Sequence, residues 1–347
     1  MNIAFFSKHL PSDEPNGVSV QVHRLAEALT ALGHTITVHT FSPPMEGASY
    51  RTVALPQKHS SRWMGKFLPA LVFRTVKTGQ FDIVHFHGDD YLCRGSVRRI
   101  RTFYGSALRE ALHAGSIGRC CYQALFYLFE WISCLKKGTM VAISADTSRY
   151  LPLIREHVPC GVPIDRYRPG GKKTAHPSIL FLGDFRSRKR GGLLRELFSS
   201  VILPANPGCI LTVVGPVPCS GEGIRYLGRC SEAELIVAMQ ESWLLCMPSS
   251  YEGFGVPVIE AMACGTPVVA THNPGSGALI RDGIDGLLCS PDSLGETVIR
   301  LLRDELLRKR LAAEGVHTAE LFDSLRVASR YVALYRPASA TADRATR

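Results

Sequence analysis

The sequence lacks the features of a disulfide-bonded, metal-stapled or membrane-spanning protein. Its 11 cysteines are an odd number, they are scattered, and no two of them form a C-x-x-C pair. This pattern argues against a disulfide framework or a zinc site and favours a reducing, cytoplasmic compartment. No apolar run approaches the roughly 18 residues that a membrane-spanning helix requires. The first residues, MNIAFFSKHL, have no basic segment before their apolar run, so they predict a β-strand and no secretory signal.

A G-x-G-x-x-G fingerprint is also missing after the first predicted strand, Ile3 to Ser7. That fingerprint forms the phosphate-binding turn of dinucleotide-dependent enzymes, so its absence argues against an oxidoreductase. Low-complexity blocks are absent as well, and 46% of the residues are hydrophobic, as in a globular core. At 347 residues the chain is long enough for two domains of ordinary size.

Positive charge is what the sequence has in excess. The formal net charge is +10. Residues 1–169 hold 20 Lys and Arg against 12 Asp and Glu, a net charge of +8, whereas residues 170–347 hold 20 against 18, a net charge of +2. This bias favours an anionic partner, which could be membrane lipid, a phosphorylated acceptor or nucleic acid. The alternative is a basic surface that serves only solubility.

Alternating strand and helix patterns predict doubly wound α/β domains. The strand Ile3 to Ser7 is followed by a helix that starts at Val18 and by a second strand, Thr35 to Thr40. Strand, helix and strand form the opening unit of a parallel sheet. Near the end of the chain, the spacing of apolar residues predicts one helix over Leu294 to Leu311 and a last helix over about Thr318 to Tyr335.

The most informative stretch is Cys246 to Ala270, which reads as a strand end, a loop, a short helix and the next strand. The free N–H groups around Gly253 to Val256 suit an anion or a sugar oxygen. Two carboxylates, Glu252 and Glu260, can each accept hydrogen bonds from a vicinal diol. The stretch therefore suits a ligand that is part phosphate and part sugar. The alternative is an ordinary strand-to-helix joint with two solvated glutamates.

The segment E-G-F-G-V-P-V-I-E, from Glu252 to Glu260, resembles the E-x7-E signature of retaining glycosyltransferases of family 4. The flanking residues PS at 248–249 and AMACGTPVV at 261–269 resemble that family too. The resemblance implies the GT-B fold, an α/β architecture of two Rossmann-like domains that face each other across a cleft. It also implies that Glu260 holds the ribose hydroxyls of a nucleotide-sugar. The donor sugar would then be held by Glu252 and by the backbone N–H groups of Gly253, Phe254 and Gly255.

The resemblance also implies a domain organisation. We expect an N-terminal acceptor-binding domain over residues 1–165 and a nucleotide-sugar-binding domain over residues 166–320. Residues 321–347 should form a helix that packs back toward the first domain, followed by a frayed tail. The first boundary rests on C-G-V-P-I-D-R-Y-R-P at 160–169, which resembles the linker of the family.

A basic loop, DFRSRKRGG at 184–192, follows the first strand of the second domain. Four cations ahead of a helix predict a phosphate clamp, and a solvated basic loop is the alternative. In the family an arginine and a lysine hold the diphosphate at this point. Lys189 fits the lysine, whereas Arg186 or Arg188 must replace the usual arginine. The resemblance places three further donor-site residues: Gly17 near the diphosphate, and Gly215 and Arg229 near the base.

The acceptor-side candidates follow two strands of the first domain. The strand FDIVHFH ends at His87, which the resemblance places at the interdomain cleft, and Arg101 belongs to a cluster of arginines on the next strand. Tyr104 stands where the family usually has a histidine that contacts the donor sugar near the reacting carbon. A tyrosine can donate a hydrogen bond but carries no imidazolium charge at neutral pH. This departure leaves a catalytically impaired partner subunit open as an alternative.

The helical stretch Tyr122 to Lys137 is apolar and aromatic, with a basic end. Two interpretations stay open. It is either a buried core helix or an interfacial helix with Trp131 at the level of lipid headgroups and Lys136 and Lys137 beside anionic lipid. The stretch is too short to span a membrane, and Glu130 interrupts it.

These observations predict a retaining glycosyltransferase that moves a sugar from a nucleoside-diphosphate sugar to a glycan, lipid-linked or small-molecule acceptor, in cell-envelope polysaccharide or glycolipid synthesis. It is expected in the cytoplasm, with peripheral attachment to the inner face of the membrane as the open question. The catalytic candidates are Arg188, Lys189, Glu252 and Tyr104. No metal, cofactor or nucleic-acid partner is expected, because cationic side chains can neutralise the departing diphosphate. A sugar phosphorylase or a sugar-nucleotide epimerase on the same fold is a further alternative.

Overall fold

The structure, a computed structural model, describes residues 1–13, 16–56, 64–93, 97–112, 116–185 and 188–336. The chain divides into two compact units: Met1–Gly161 together with Ser324–Arg347, and Val162–Asp323. Each unit is a parallel α/β domain of the Rossmann-like type. The predicted fold class, two Rossmann-like domains, is therefore confirmed.

Unit 1 is built on a seven-stranded parallel sheet. Its strands are β1 (Asn2–Phe6), β2 (Thr35–Thr40), β3 (Arg51–Ala54), β4 (Ile83–Phe86), β5 (Arg98–Phe103), β6 (Thr139–Ala142) and β7 (Glu156–His157). Its helices up to the first boundary are α1 (Gly17–Ala31), α2 (Met64–Phe73), α3 (Ala107–Leu112), α4 (Ile117–Cys134) and α5 (Ala145–Tyr150). The strand order is β3-β2-β1-β4-β5-β6-β7, so the direction of winding reverses between β1 and β4. Ligands of open α/β sheets bind at the carboxyl ends of the strands beside such a reversal.

Unit 2 repeats this plan with six strands. They are β8 (Ser178–Leu182), β9 (Ile210–Val214), β10 (Ile224–Gly228), β11 (Leu244–Met247), β12 (Val268–Thr271) and β13 (Leu287–Cys289). The helices are α6 (Gly191–Leu197), α7 (Leu203–Ala205), α8 (Glu232–Glu241), α9 (Val256–Ala263), α10 (Pro274–Leu279), α11 (Leu294–Arg303) and α12 (Glu305–Glu320), with a π-helical turn at Phe198–Ile202. The strand order is β10-β9-β8-β11-β12-β13, and the winding reverses between β8 and β11.

The central strands of both sheets are buried on their two faces, whereas the edge strands β3, β7 and β10 are partly or fully exposed. All residues of β4, β8, β11 and β12 are buried, as expected for parallel strands that helices cover on both sides. Burial on both faces explains why these strands appear in the sequence as short apolar runs. Within the described ranges, none of the helices combines the length and the hydropathy needed to cross a membrane.

The last helix, α13 (Ser324–Tyr335), belongs to unit 1. Its buried residues Val327, Tyr331 and Tyr335 join the core that β1, β2 and α1 form. The predicted boundaries at 165/166 and 320/321 accordingly move to 161/162 and 323/324. The first boundary moves because the side-chain amide of Gln21 bonds both backbone groups of Gly161 and holds it in unit 1.

Two helix predictions near the end of the chain were wrong. The single helix expected over Leu294 to Leu311 is divided into α11 and α12 at Asp304. The backbone of Asp304 leaves the helical conformation, and its carboxylate accepts the Leu307 N–H at 2.8 Å as the N-cap of α12. The last helix begins at Ser324 because Thr318 lies in α12, where its hydroxyl bonds the buried carboxylate of Asp285.

Candidate active site

The candidate donor site lies at the carboxyl edge of unit 2, where β8 and β11 are neighbours. Arg188 and Lys189 lie in the loop after β8, and Glu252 lies in the loop after β11. The N–H of Ser250 donates to the carbonyl of Arg188 at 2.8 Å, so the two loops are tied together. Sheet topology thus brings the basic loop and the glutamate loop to one place, at the reversal point where ligands bind.

An ion-pair cluster connects the three charged residues. Lys189 Nζ lies 2.8 Å from Glu252 Oε1, and Arg188 Nη1 lies 3.0 Å from Glu252 Oε2. Arg188 also donates to the carbonyl of Tyr251 at 2.6 Å. Burial acts to raise the pKa of Glu252, but Lys189 and Arg188 outweigh it and hold that pKa below its ordinary value. The carboxylate is therefore ionised at neutral pH and offsets one of the two positive charges that Arg188 and Lys189 carry.

The loop after β11 presents backbone donors. Gly255 has a φ of 99°, a left-handed conformation that favours glycine, and it immediately precedes α9. In the described part of the chain, no acceptor bonds the N–H groups of Gly253, Phe254 and Gly255. Val256 opens α9, and its N–H has no partner within the helix. Pro257 has no N–H, and the N–H of Val258 donates to the Gly255 carbonyl at 2.9 Å. The buried ring of Phe254 packs 5.8 Å from that of Phe322 and anchors the loop. These donors suit an anion or a sugar oxygen.

The two glutamates of the signature are both buried. Glu252 and Glu260 are each 5% exposed, so the alternative of two solvated glutamates is wrong. Glu260 lies on α9, which packs between the sheet and α12. Burial of an unpaired charge is costly. A buried carboxylate therefore binds a ligand only where defined hydrogen-bond partners stabilise its charge.

The remaining donor candidates have different surroundings. A Cβ at Gly215 would lie 2.1 Å from the Gly183 carbonyl, so close backbone packing requires glycine there. Arg229 is exposed directly after β10. Gly17 is the first residue of α1, and nothing lies within 4 Å of a Cβ built there. Arg186 lies outside the described residues.

In unit 1, His87 and Tyr104 lie side by side. His87 Nδ1 is hydrogen-bonded to the Tyr104 hydroxyl at 2.9 Å, and its ring stacks on that of His85 at 4.1 Å. Burial lowers the pKa of His87 well below its ordinary value, and His85 and Arg101 lower it further. Burial also raises the pKa of Tyr104. Both groups are therefore neutral at pH 7. The chain has a neutral imidazole beside Tyr104, in a region where the resemblance implies a histidine.

Arg101 lies on β5 beside these residues. Its guanidinium lies 4.6 Å from the ring centre of Phe103, and Nε lies 3.7 Å from Asp90 Oδ1. Asp90 already pairs with Arg99 and accepts a hydrogen bond from the Ser133 hydroxyl at 2.6 Å. The structure therefore groups three of the four unit 1 candidates, His87, Tyr104 and Arg101, around the carboxyl ends of β4 and β5.

Comparison with known proteins agrees with this geometry. A model of Glycosyltransferase Family 4 matches residues 15–166, and a model of Glycosyl transferases group 1 matches residues 165–317. The chain belongs to glycosyltransferase family 4. This glycosyltransferase is 27% identical over 376 residues to a phosphatidyl-myo-inositol mannosyltransferase of Mycobacterium leprae, with 93% of each chain covered.

Solved structures show the same fold. The sucrose-phosphate synthase of Thermosynechococcus elongatus superimposes with a TM-score of 0.82 at 20% identity, over 98% of this chain and 99% of that one. The Anabaena protein HepE, solved with UDP and glucose, superimposes with a TM-score of 0.74 at 15% identity, over 96% and 98%. The family-4 glycosyltransferase thus has the GT-B fold.

Sequence reasoning missed three contributions to the candidate site of this glycosyltransferase. Asn16 caps α1 and accepts the N–H groups of Val18 and Ser19, a capping signal that the Asn-Gly-Val-Ser order contains. Gly275 lies so close to the glutamate loop that a Cβ would be 2.6 Å from the Glu252 carbonyl. Finally, Tyr335 bonds His85 at 2.7 Å across 250 residues of sequence, a contact that no local pattern reveals.

Proposed function

We propose that this glycosyltransferase moves a hexosyl group from a nucleoside-diphosphate sugar to an acceptor hydroxyl, with retention of the anomeric configuration. The observation that carries the proposal is the cluster of Arg188, Lys189 and Glu252 beside a loop with unbonded N–H groups. Two cations at a loop of free donors suit a diphosphate. Two buried carboxylates, Glu252 and Glu260, suit the hydroxyls of a sugar and a ribose. A solved neighbour that holds UDP and glucose supports a nucleotide-sugar as donor.

In the proposed reaction, the bond between the anomeric carbon and the phosphate oxygen breaks as the acceptor oxygen attacks from the same face. The acceptor proton passes to the leaving phosphate oxygen. Arg188 and Lys189, with the loop N–H groups, stabilise the negative charge that grows on the diphosphate. Because Glu252 pairs with both cations before the donor binds, we propose that the diphosphate takes over part of their charge and that Glu252 turns to the sugar hydroxyls. The roles of Gly17 and Tyr104 at the donor stay predictions that rest on the resemblance.

The test is acceptor-dependent nucleotide release. A panel of UDP-, GDP- and ADP-sugars is first screened by thermal shift, since a ligand that binds only the folded state raises the melting temperature. The stabilising donor is then assayed with candidate acceptors, and the anomeric configuration of the product is read by NMR. Retention of configuration supports the proposal. Donor binding without release under any acceptor would favour an impaired partner subunit, and release that requires inorganic phosphate would favour a phosphorylase.

For the acceptor side, we propose a lipid-linked substrate at a membrane surface. The mannosyltransferase relative is named for phosphatidyl-myo-inositol, a lipid. Helix α4 leaves a row of apolar side chains exposed, with Ile117, Leu128 and Leu135 between 55% and 84% exposed. Leu125 and Ile132 continue the row at helical spacing. An exposed apolar helix face next to basic residues suits a shallow position in an anionic bilayer. All 11 cysteines are free, which suits a cytoplasmic protein at the inner membrane face.

The structure changes which residues this membrane proposal uses. Trp131 packs against a buried cluster of unit 1 that includes Phe103 and Met140, so it does not lie on the exposed row. Lys136 donates from Nζ to the backbone carbonyls of Asp90 and Cys93, at 2.7 and 2.9 Å, and has a structural role. One face of α4 therefore packs against unit 1 and the other face is exposed, while membrane attachment of the exposed face stays a proposal.

Vesicle co-sedimentation tests the membrane proposal. Leu128→Ser and Leu135→Ser should weaken binding to phosphatidylglycerol-containing vesicles, and Lys137→Glu should make the remaining binding less salt-sensitive. Each basic residue near such a surface contributes about 1 kcal/mol to the free energy of membrane binding. The matched control is Leu153→Ser, which removes an exposed leucine of unit 1 outside α4. Equal loss in the control, or no binding by the wild type at low salt, would count against membrane attachment.

A further inference from the structure

A cavity of about 270 Å³ opens in unit 1 at the carboxyl ends of β4 and β5, against α4. Its wall carries one guanidinium, from Arg101, and its polar groups include His87, Asp89 and Glu130. Its lining residues, among those that the structure describes, all belong to unit 1. A cavity of this size, with a few convergent polar groups, is typical of a site for one small ring compound.

Arg101 brings an incompletely paired positive charge to this cavity. Its side chain is only 11% exposed, and its Nε and Nη1 have no hydrogen-bond acceptor among the described residues. The nearest carboxylate oxygen, on Asp90, is 3.7 Å from Nε, and Asp90 is already paired with Arg99 and bonded by Ser133. A buried charge with so few bonds is costly unless a ligand completes its pairing.

The other polar groups of the cavity do not neutralise Arg101 fully. Asp89 lies beside it in a left-handed backbone conformation with a φ of 54°. Burial raises the pKa of Asp89, and burial raises the pKa of Glu130 to about 7, in each case against an opposing effect of Arg101. Both carboxyls thus hold a proton more tightly than exposed carboxyls do, and a protonated carboxyl donates as well as accepts hydrogen bonds. A positive charge surrounded by groups of this kind suits an anion with neighbouring hydroxyls.

The opposite side of the cavity is aromatic. The rings of Tyr91 and Phe129 stack at 4.3 Å, and Phe126 lies against both. A flat apolar wall faces the C–H groups of a saturated ring, while the polar groups reach its hydroxyls. One apolar wall and one polar edge are the two surfaces that a sugar or cyclitol presents.

We propose that this cavity is the acceptor subsite and that it takes a sugar or polyol ring carrying one anionic group, a phosphate or carboxylate, which Arg101 holds. The assignment of the site to the acceptor rests on the proposed function. The preference for an anionic ring rests only on the cavity. Asp89, Glu130 and His87 Nε2, which has no partner among the described residues, then bond the ring hydroxyls.

Isothermal titration of the full chain tests the preference. The probes are inositol 1-phosphate against inositol and glucuronate against glucose. We expect each anionic ring to bind at least tenfold more tightly than its neutral parent, because a hydrogen bond to a charged group contributes a factor of about ten to a hundred. Arg101→Met should abolish this preference and leave the affinity for nucleoside diphosphate unchanged. The control is Arg149→Met, which removes the same charge from an exposed position of unit 1.

A wild type without preference for the anionic rings would overturn the proposal, as would a folded Arg101→Met protein that keeps the preference. If the melting curve shows that Arg101→Met does not fold, the Gln123→Trp variant is tested instead. Gln123 lines the cavity, so the larger side chain occupies part of the cavity while Arg101 is unchanged. Anionic-ring binding that survives Gln123→Trp places the ligand elsewhere and overturns the assignment.

Two further experiments are added. The first distinguishes a lipid headgroup from a free anionic ring as the ligand. The second distinguishes failure of the proposed function from failure of the inference about this cavity. Phosphatidylinositol in neutral vesicles is compared with free inositol 1-phosphate: tighter binding to the vesicles identifies a lipid headgroup, and equal binding identifies a free anionic ring. Both results support an anionic ring. Nucleoside diphosphate titration is run in parallel. Its failure would refute the proposed function and with it the assignment to the acceptor, but not the preference for an anionic ring. Absence of that preference would refute the inference about this cavity and leave the proposed function standing.

Discussion

The pairing of Glu252 with two cations leads to a prediction with two opposite effects. Glu252→Gln keeps the shape of the side chain and removes its charge. Arg188 and Lys189, now 3.0 and 2.8 Å from the carboxylate, then lose this charged partner, and a diphosphate no longer competes with it. A hydrogen bond to a charged group contributes about 1.5–3 kcal/mol. Arg188 is 37% exposed, so water screens part of this energy. We therefore expect a gain of about 1.4 kcal/mol, or tenfold tighter binding of nucleoside diphosphate.

Turnover should change in the other direction, because the variant loses the charged acceptor proposed to hold the donor sugar. Titration calorimetry with nucleoside diphosphate gives the first effect, and acceptor-dependent nucleotide release gives the second. Glu222→Gln is the matched control, since it removes one negative charge from an exposed position of the same unit. If the folded variant binds nucleoside diphosphate as the wild type does or more weakly, the reasoning about competition for the two cations is refuted.

Three further predictions concern single side chains. Glu260→Ala should weaken nucleoside diphosphate binding by about 1–3 kcal/mol, measured by calorimetry, because ribose hydroxyls lose a charged acceptor; unchanged affinity contradicts this role. Lys189→Ala should lower kcat more than it raises KM, since the negative charge grows as the bond breaks; a pure KM effect in steady-state kinetics would indicate ground-state binding only. Burial raises the pKa of Glu130 from 4.5 to about 7, so the folded state retains a proton that the unfolded chain releases, and stability falls as the pH rises through this window. In urea unfolding at several pH values, the free energy of unfolding of Glu130→Gln should lack this fall, which is about 3 kcal/mol at most. A variant with the same pH profile as the wild type would refute the raised pKa of Glu130.

The local structure of the candidate site was predictable from the sequence. The order strand, loop, helix around Glu252 depends on apolar runs, glycines and a proline within about 25 residues, and such signals act over short distances. The same holds for the basic loop that contains Lys189 and for the βαβ unit at the start of the chain. The strand and helix patterns predicted doubly wound α/β structure, whereas the division into two Rossmann-like domains was implied by the family resemblance.

Helix ends were less predictable, because single side chains decide them. Asp304 divides one predicted helix into two by capping the second, and no change in apolar spacing marks that point. Gly161 belongs to unit 1 through two hydrogen bonds with Gln21, a residue 140 positions earlier in the chain. Contacts of this kind depend on how the sheet brings distant segments together.

The sequence by itself determined which groups the protein carries: a basic loop, two signature glutamates, an arginine-rich strand and an apolar helix. Only the tertiary structure decided what each group contacts. It paired Glu252 with Arg188 and Lys189, turned Trp131 into the core, and left Arg101 buried with few bonds in a cavity. The physical reason is that periodicity reports which face of an element is apolar, whereas pairing of charges depends on which strands are neighbours in the sheet. In this chain β8 and β11 are neighbours although more than 60 residues separate them, and their adjacency creates the candidate donor site.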